Sequence, residues 1–60
     1  MFVYAVLKDG LEVAAFRSFR ADIAREDCEI EAIELGLAAR LPGGVALLPD
    51  VEIVCLQAEE

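Results

Sequence analysis

Few side chains in this sequence have the chemistry of a catalytic group. The 60 residues contain no histidine, which excludes imidazole acid–base catalysis and the commonest zinc sites. Ser18 is the only serine and has no histidine to activate it as a nucleophile. No glycine-rich phosphate loop is present either. The sequence therefore favours a role other than catalysis and predicts no cofactor.

The two cysteines, Cys28 and Cys55, lie far apart and form neither a CxxC motif nor a zinc-type spacing. The chain shows no basic segment ahead of a hydrophobic stretch, as a secretory signal would. No apolar run approaches the roughly 18–20 residues that cross a bilayer. We therefore expect a cytoplasmic protein, in which both cysteines are small buried hydrophobic residues rather than a disulfide.

The charge balance argues against nucleic acid and anionic membranes as partners. Twelve acidic residues oppose five basic ones, for a net charge of −7, whereas nucleic-acid binding depends on a basic surface. Arg17, Arg20 and Arg25 are close in sequence, but we expect them to balance neighbouring acids. A basic protein is the partner that such an acidic chain would attract.

The first half of the sequence predicts a β-hairpin. Residues Phe2–Leu7 read FVYAVL, a run that is apolar on both faces and suits either a strand covered on both sides or a central strand. Asp9-Gly10 is a strong signal for a two-residue turn. The second strand would run from Leu11 to about Phe19, and the turn length would pair Val6 with Val13.

A helix follows, with Asp22 as its expected N-cap. It would run to about Leu41, where Pro42-Gly43-Gly44 stops it. The helical period places two apolar stripes on opposite sides. The stripe expected to face the core contains Ile30, Ile33, Leu37 and Leu41.

The second stripe contains mostly small residues, which permit close approach of another helix. With 58% hydrophobic residues in so short a chain, this stripe predicts a homo-oligomer, with a dimer favoured. We expect Leu35→Glu to break that assembly. The predicted interface residues are Cys28, Ala32, Leu35 and Ala39.

The chain ends with a predicted strand at Val51–Leu56, interior to the sheet, while residues 45–48 are either a short extended piece or an apolar flap. The prediction is a single α+β domain over residues 1–60 with the element order ββαβ. Its three-stranded mixed sheet would carry the helix on one face. The other face of that sheet then needs a cover as well.

A series of short motifs carries a family resemblance: Ala5–Leu7, Asp9-Gly10, Glu12–Phe16, Arg17–Phe19, Cys28-Glu29, Ala32-Ile33, Gly36-Leu37, Val51, Ile53 and Val54. These motifs resemble the ribonuclease H-like fold, in its reverse-transcriptase-like branch. The resemblance implies a nuclease centre in which several carboxylates hold two metal ions. Glu29 is the helical candidate, whereas Leu56 occupies the position of a later carboxylate, Asp50 precedes that strand, and Glu59 and Glu60 follow it.

The family's own first strand is missing here, so the resemblance implies a truncated, non-catalytic version with no metal. It also implies that the last strand could take the vacant place beside Phe2–Leu7. Alternatively, a second copy could supply the missing layer. On this basis the sequence predicts a structural or interaction module that self-associates.

A weaker similarity points to HicB-type antitoxins. It rests on Lys8–Gly10 and Glu31–Leu35, and it departs from that family at Arg17–Arg20, where HicB proteins have a Pro-Gly segment. This similarity implies an acidic binding partner of a basic protein. A third alternative is a metal-dependent nuclease that combines Glu29 with carboxylates of a second subunit.

Overall fold

The computed structural model describes residues 1–58. It is an α+β structure, as expected, but its order is β-β-α-β-β-β rather than ββαβ. The additional elements are two short strands that follow the helix. The elements are β1 (Phe2–Lys8), β2 (Leu11–Ser18), α1 (Ala21–Glu34), β3 (Ala38–Leu41), β4 (Gly44–Leu47) and β5 (Val51–Ala58).

The hairpin between β1 and β2 has the predicted two-residue turn. Asp9 and Gly10 have φ angles of 53° and 79°, and Lys8 pairs with Leu11. Positive φ at both central residues is the geometry that matches the natural twist of the two strands. Glycine adopts it freely and aspartate tolerates it, which is why this dipeptide forms the turn.

The predicted register of the hairpin is wrong by one residue beyond the turn. Val6 pairs with Ala14 rather than Val13, because a β-bulge interrupts the ladder after Leu7. Val13 is the additional residue of the bulge. The shift matters because it places Ala14, and not Val13, on the face of β2 that packs against the helix.

The main sheet has the order β2-β1-β5, and both pairings are antiparallel. The predicted mixed sheet is therefore wrong. Because β1 runs opposite to both neighbours, β5 has the direction of β2 but lies at the other side of β1. It occupies the place beside β1 that the sequence left open, so β5 is an edge strand and not an interior one.

The helix α1 begins one residue before the predicted cap. Arg20 is the N-cap, with φ −120° and ψ 130°, and it makes no side-chain capping bond. Asp22 cannot cap because it is already helical. Its carboxylate instead accepts two hydrogen bonds from the Arg20 guanidinium, at 3.1 and 2.9 Å. It also lies in the first turn, where the helix dipole favours a negative charge.

The helix ends at Glu34, seven residues before the predicted end. Gly36 has φ 76°, and its N–H donates to the carbonyl of Ile33 at 3.1 Å. The N–H of Leu37 donates to the carbonyl of Ala32 at 2.8 Å. These two bonds form a Schellman motif, in which a left-handed glycine satisfies the last helical carbonyls and reverses the chain. The motif overrides the helical pattern that continues to Leu41.

Ala38–Leu41, which the sequence predicted to be helical, instead belong to a second, two-stranded sheet. Strands β3 and β4 pair around Pro42-Gly43, from Leu41 opposite Gly44 to Ala38 opposite Leu47. Residues 45–48 therefore lie mostly in a strand. The N–H of Leu48 donates to the carbonyl of Leu37 at 3.1 Å, which ties the end of the hairpin to the helix terminus.

The core lies between α1 and one face of the main sheet. The helix buries Ala24, Cys28 and Ala32 completely. These residues are four apart and so form one stripe. The bulk that fills the layer comes from the sheet and from the segment after the helix. The core cluster contains Val6, Cys28, Ala32, Leu37 and Val51, with Tyr4, Ala14, Phe16, Ala38, Leu47 and Ile53 packed against it.

The prediction that one face of the helix enters the core through Ile30, Ile33, Leu37 and Leu41 is therefore wrong. Ile30 is 39% exposed, and Leu41 is 51% exposed in β3. Leu37 is buried, but it lies beyond the helix end. The stripe of small residues faces the sheet because a helix with short side chains can approach a strand layer that already carries Val, Tyr and Phe.

Candidate functional site

The four predicted interface residues do not share one exposed face. Cys28 and Ala32 have no exposed surface because they form the core side of α1. Leu35 is the helix C-cap and is 48% exposed. Ala39 is exposed in β3. The predicted interface is corrected accordingly: half of it is internal packing, and the Schellman turn separates the other half.

Glu29, the candidate nuclease carboxylate, lies half-buried on α1. Within residues 1–58, no three or more His, Cys, Asp or Glu side chains group closely enough to hold a metal ion. No cavity is found in this part of the chain. Glu59 and Glu60, the carboxylates that follow β5, lie outside the described residues.

The two cysteines differ sharply in environment. Both are free thiols; Cys28 is buried and Cys55 is exposed, so the expectation of two buried cysteines is wrong for Cys55. The Cys55 thiol donates to the carbonyl of Gln57 at 3.4 Å. Burial raises the pKa of the Cys28 thiol, and the negative charge of Asp27 raises this pKa further. Cys28 therefore has a lower thiolate fraction than a free thiol at neutral pH.

This difference predicts two separate rates of thiol modification. With an aromatic disulfide reagent under native conditions, Cys55 should react rapidly because its thiol is exposed. Cys28 should react at least about 100-fold more slowly, because its thiol becomes accessible only when the core opens locally. In the control variant Cys55→Ser only the slow reaction should remain. Fast modification of Cys28 in that variant would show that this side of α1 is exposed, contrary to the packing described above.

An ion-pair cluster closes the end of the sheet nearest the β1–β2 turn. Lys8 Nζ lies 2.8 Å from Asp50 Oδ2 and 3.4 Å from Asp9 Oδ2. The N–H of Asp9 also donates to the carbonyl of Asp50 at 2.9 Å. The hydrogen bond that the Lys8 ammonium donates to the Asp50 carboxylate, together with the charge of Asp50, raises the pKa of Lys8, and the same hydrogen bond lowers the pKa of Asp50. Asp50 is thus held beside the β1–β2 turn by its ion pair with Lys8.

The main sheet has a second face, which we call the open face. Tyr4 and Val6 of β1 point to the helix, so Val3, Ala5 and Leu7 point to the opposite side. The strand pairings extend this face across the neighbouring strands. The open face comprises three rows across the sheet: Glu12–Leu7–Glu52, Ala15–Ala5–Val54 and Arg17–Val3–Gln57.

No element of residues 1–58 covers the open face. The helix packs on the other side of the sheet, and so does the β3–β4 hairpin, through Ala38 and Leu47. Ala5, at the centre of this face, nevertheless has no exposed surface, and Val3, Leu7 and Val54 are half-buried. The middle of the open face is thus apolar, and its charged residues stand at the two ends.

The acidic residues are concentrated on the opposite layer. Six of the twelve Asp and Glu residues belong to α1, and they are Asp22, Glu26, Asp27, Glu29, Glu31 and Glu34. On the open face, Glu12 and Glu52 flank Leu7, whereas Arg17 stands beside Val3. The α1 side thus carries most of the helix's acids together with exposed Ile23 and Ile30, whereas the open face has half-buried apolar residues at its centre and charges of both signs at its ends.

Comparison with known proteins leaves this geometry as the basis for assigning a function. No family model matches the chain, and no curated protein or solved structure matches it. The resemblances to ribonuclease H-like and HicB proteins therefore stay predictions. No helix within the described residues has the length and apolar character needed to span a membrane.

The sequence predicts a sheet face that the helix does not cover, and the structure has one, but the interface predicted from the sequence lies on the helix. The signal for this face is the run FVYAVL, in which both alternating sets of residues are apolar. One set faces the helix, and the other needs a second cover. The stripe of small residues on the helix predicted a different contact surface, because small residues suit both a helix–helix contact and a helix–sheet contact.

Proposed function

We propose that this chain is a non-catalytic interaction module that self-associates through the open face of its sheet. The observation that supports the proposal is the apolar centre of that face, formed by Val3, Ala5, Leu7 and Val54, with no cover from residues 1–58. Burial of apolar surface contributes about 25 cal/mol per Å². A second copy would bury this centre on both partners at once.

A domain of this size gains stability from such burial. A 60-residue chain buries only about 60% of its unfolded surface and is marginally stable alone. The accessible surface here is 4060 Å², and a standard interface takes about 800 Å² from each partner. The Cα positions span 30 × 26 × 15 Å, the shape of a two-layer slab. The open face takes up only part of this broad side, because the main sheet has three strands.

The charge distribution supports association through this side. Two chains of net charge −7 repel each other, but half of the acids lie on α1, across the sheet from the open face. Two copies joined through their open faces hold their helices on the outside, separated by two sheet layers. That separation exceeds the screening length of about 8 Å at physiological salt, so the repulsion between helices is weak.

The proposal predicts a dimer in solution. Light scattering over a concentration series should give twice the chain mass of 6.5 kDa. The dimer should be insensitive to Mg²⁺ and to chelators, because no metal takes part in this interface. A folded species that keeps the mass of one chain at all concentrations would overturn self-association.

The alternative prediction, an antitoxin-like partner of a basic protein, would use the acid-rich side of α1. It is favoured if the chain alone is monomeric and gains stability only with a basic partner. Residual metal-dependent nuclease chemistry would instead show Mg²⁺-dependent stabilisation that is lost in Glu29→Gln. The same purified protein distinguishes these cases, since only self-association changes the mass without any added component.

A further inference from the structure

We propose that two copies stack open face to open face with their strands antiparallel, so that Arg17 of each copy lies over Glu12 of the second copy. This orientation rests on the self-association proposed above and adds its geometry. It follows from the order of charges along the strands and from the two ways in which a symmetric pair of sheets with aligned strands can stack.

The charges of the open face are separated along the strand direction. The row that contains Glu12 and Glu52 lies four residues of β1 away from the row that contains Arg17. At roughly 3.3 Å per residue this separation is about 13 Å. The row with Ala15, Ala5 and Val54 lies midway between them. One end of the open face is therefore negative and the other end carries the positive charge.

A dimer in which both copies use the same surface has a twofold axis in the plane of contact. If the axis runs along the strands, β2 of one copy lies over β5 of the other, and Glu12 meets Glu52. That arrangement brings like charges together twice. If the axis runs across the strands, β2 of one copy lies over β2 of the other. The negative end of one open face then lies over the positive end of the other.

The second arrangement is electrostatically self-complementary. It places Glu12 of one copy opposite Arg17 of the other, and symmetry makes this pair twice. The axis then passes through the Ala15–Ala5–Val54 row, so the apolar centres coincide. Packed sheets lie about 10 Å apart, a gap that long Arg and Glu side chains at the rim can bridge. A second copy therefore matches the open face in both charge and apolar centre.

Charge reversal tests the orientation. The variants Glu12→Arg and Arg17→Glu are studied separately and as an equimolar mixture, with the dimer dissociation constant measured by light scattering. In the antiparallel dimer each single variant places like charges together twice, and its dissociation constant should rise about tenfold or more. The mixture restores both opposite-charge pairs and should form a heterodimer within about threefold of the wild-type dissociation constant.

A matched control separates local pairing from net charge. Glu34→Arg makes the same change in charge as Glu12→Arg but lies exposed at the end of α1, and it should not weaken the dimer. Tighter association of Glu12→Arg would indicate the parallel stack, in which the new arginine meets Glu52, and would overturn the orientation. A mixture no tighter than the single variants would also overturn it. A monomeric wild-type protein would instead overturn self-association itself.

Discussion

The variant Ala15→Lys should convert the dimer to a monomer while leaving the fold intact. Ala15 is exposed on edge strand β2 and lies in the central row of the open face. A lysine there removes no core side chain, so the isolated chain should tolerate it. In the dimer the twofold axis would bring two unpaired ammonium groups into an apolar contact, which costs about 3 kcal/mol or more. The dissociation constant should therefore rise at least about 100-fold.

The matched control is Ala39→Lys. Ala39 is also an exposed alanine in a strand, and the sequence placed it in the helical interface. Light scattering should show a dimer for Ala39→Lys and a monomer for Ala15→Lys, with circular dichroism confirming that both are folded. The reverse result would move the interface to the β3–β4 side of the molecule and refute the open-face dimer.

The variant Leu37→Ala should cause the largest loss of stability in the chain. Leu37 is 9% exposed and belongs to the core cluster, and its N–H closes the Schellman motif. Truncating a buried leucine to alanine costs about 2–5 kcal/mol. A domain of this length has a total stability of roughly 3–9 kcal/mol. The melting temperature should therefore fall by about 10 °C or more, if the variant folds at all.

Leu41→Ala is the control for this loss. Leu41 is the same residue type, four positions later, but it is 51% exposed. Its truncation should shift the melting temperature by no more than about a third of the shift in Leu37→Ala. Because a dimer melts at a temperature that depends on protein concentration, all variants are compared at one concentration. Equal losses at the two positions would show that Leu37 is not part of the core.

Much of the fold could be read from the sequence because local chemistry determines it. Asp9-Gly10 requires a tight turn between two strands, and the structure has that turn with the expected positive φ angles. The helix after the hairpin and the strand at Val51 were also predicted and found. The run FVYAVL, which is apolar on both faces, correctly indicated a central strand. One face of that strand is not covered by the helix.

Two errors came from local patterns that admit more than one structure. The helical period continues to Leu41, but Gly36 ends the helix early because only a residue that readily adopts positive φ can make the reversing bonds. The bulge at Val13 shifts the strand register, and nothing in the neighbouring residues marks it. Boundaries and register therefore depend on which alternative the rest of the chain stabilises.

The sequence by itself determined the first hairpin and its turn, the presence of the helix and of the last strand, and the acidic character, since each depends on residues close together in the chain. Only the tertiary structure decided which apolar surface is internal. Cys28 and Ala32 are buried because the sheet offers Val6, Tyr4 and Phe16 to a helix with small side chains. The open face remains on the outside because the helix can cover one side of the sheet and the hairpin joins it there. That choice depends on contacts between distant segments, which no local pattern encodes.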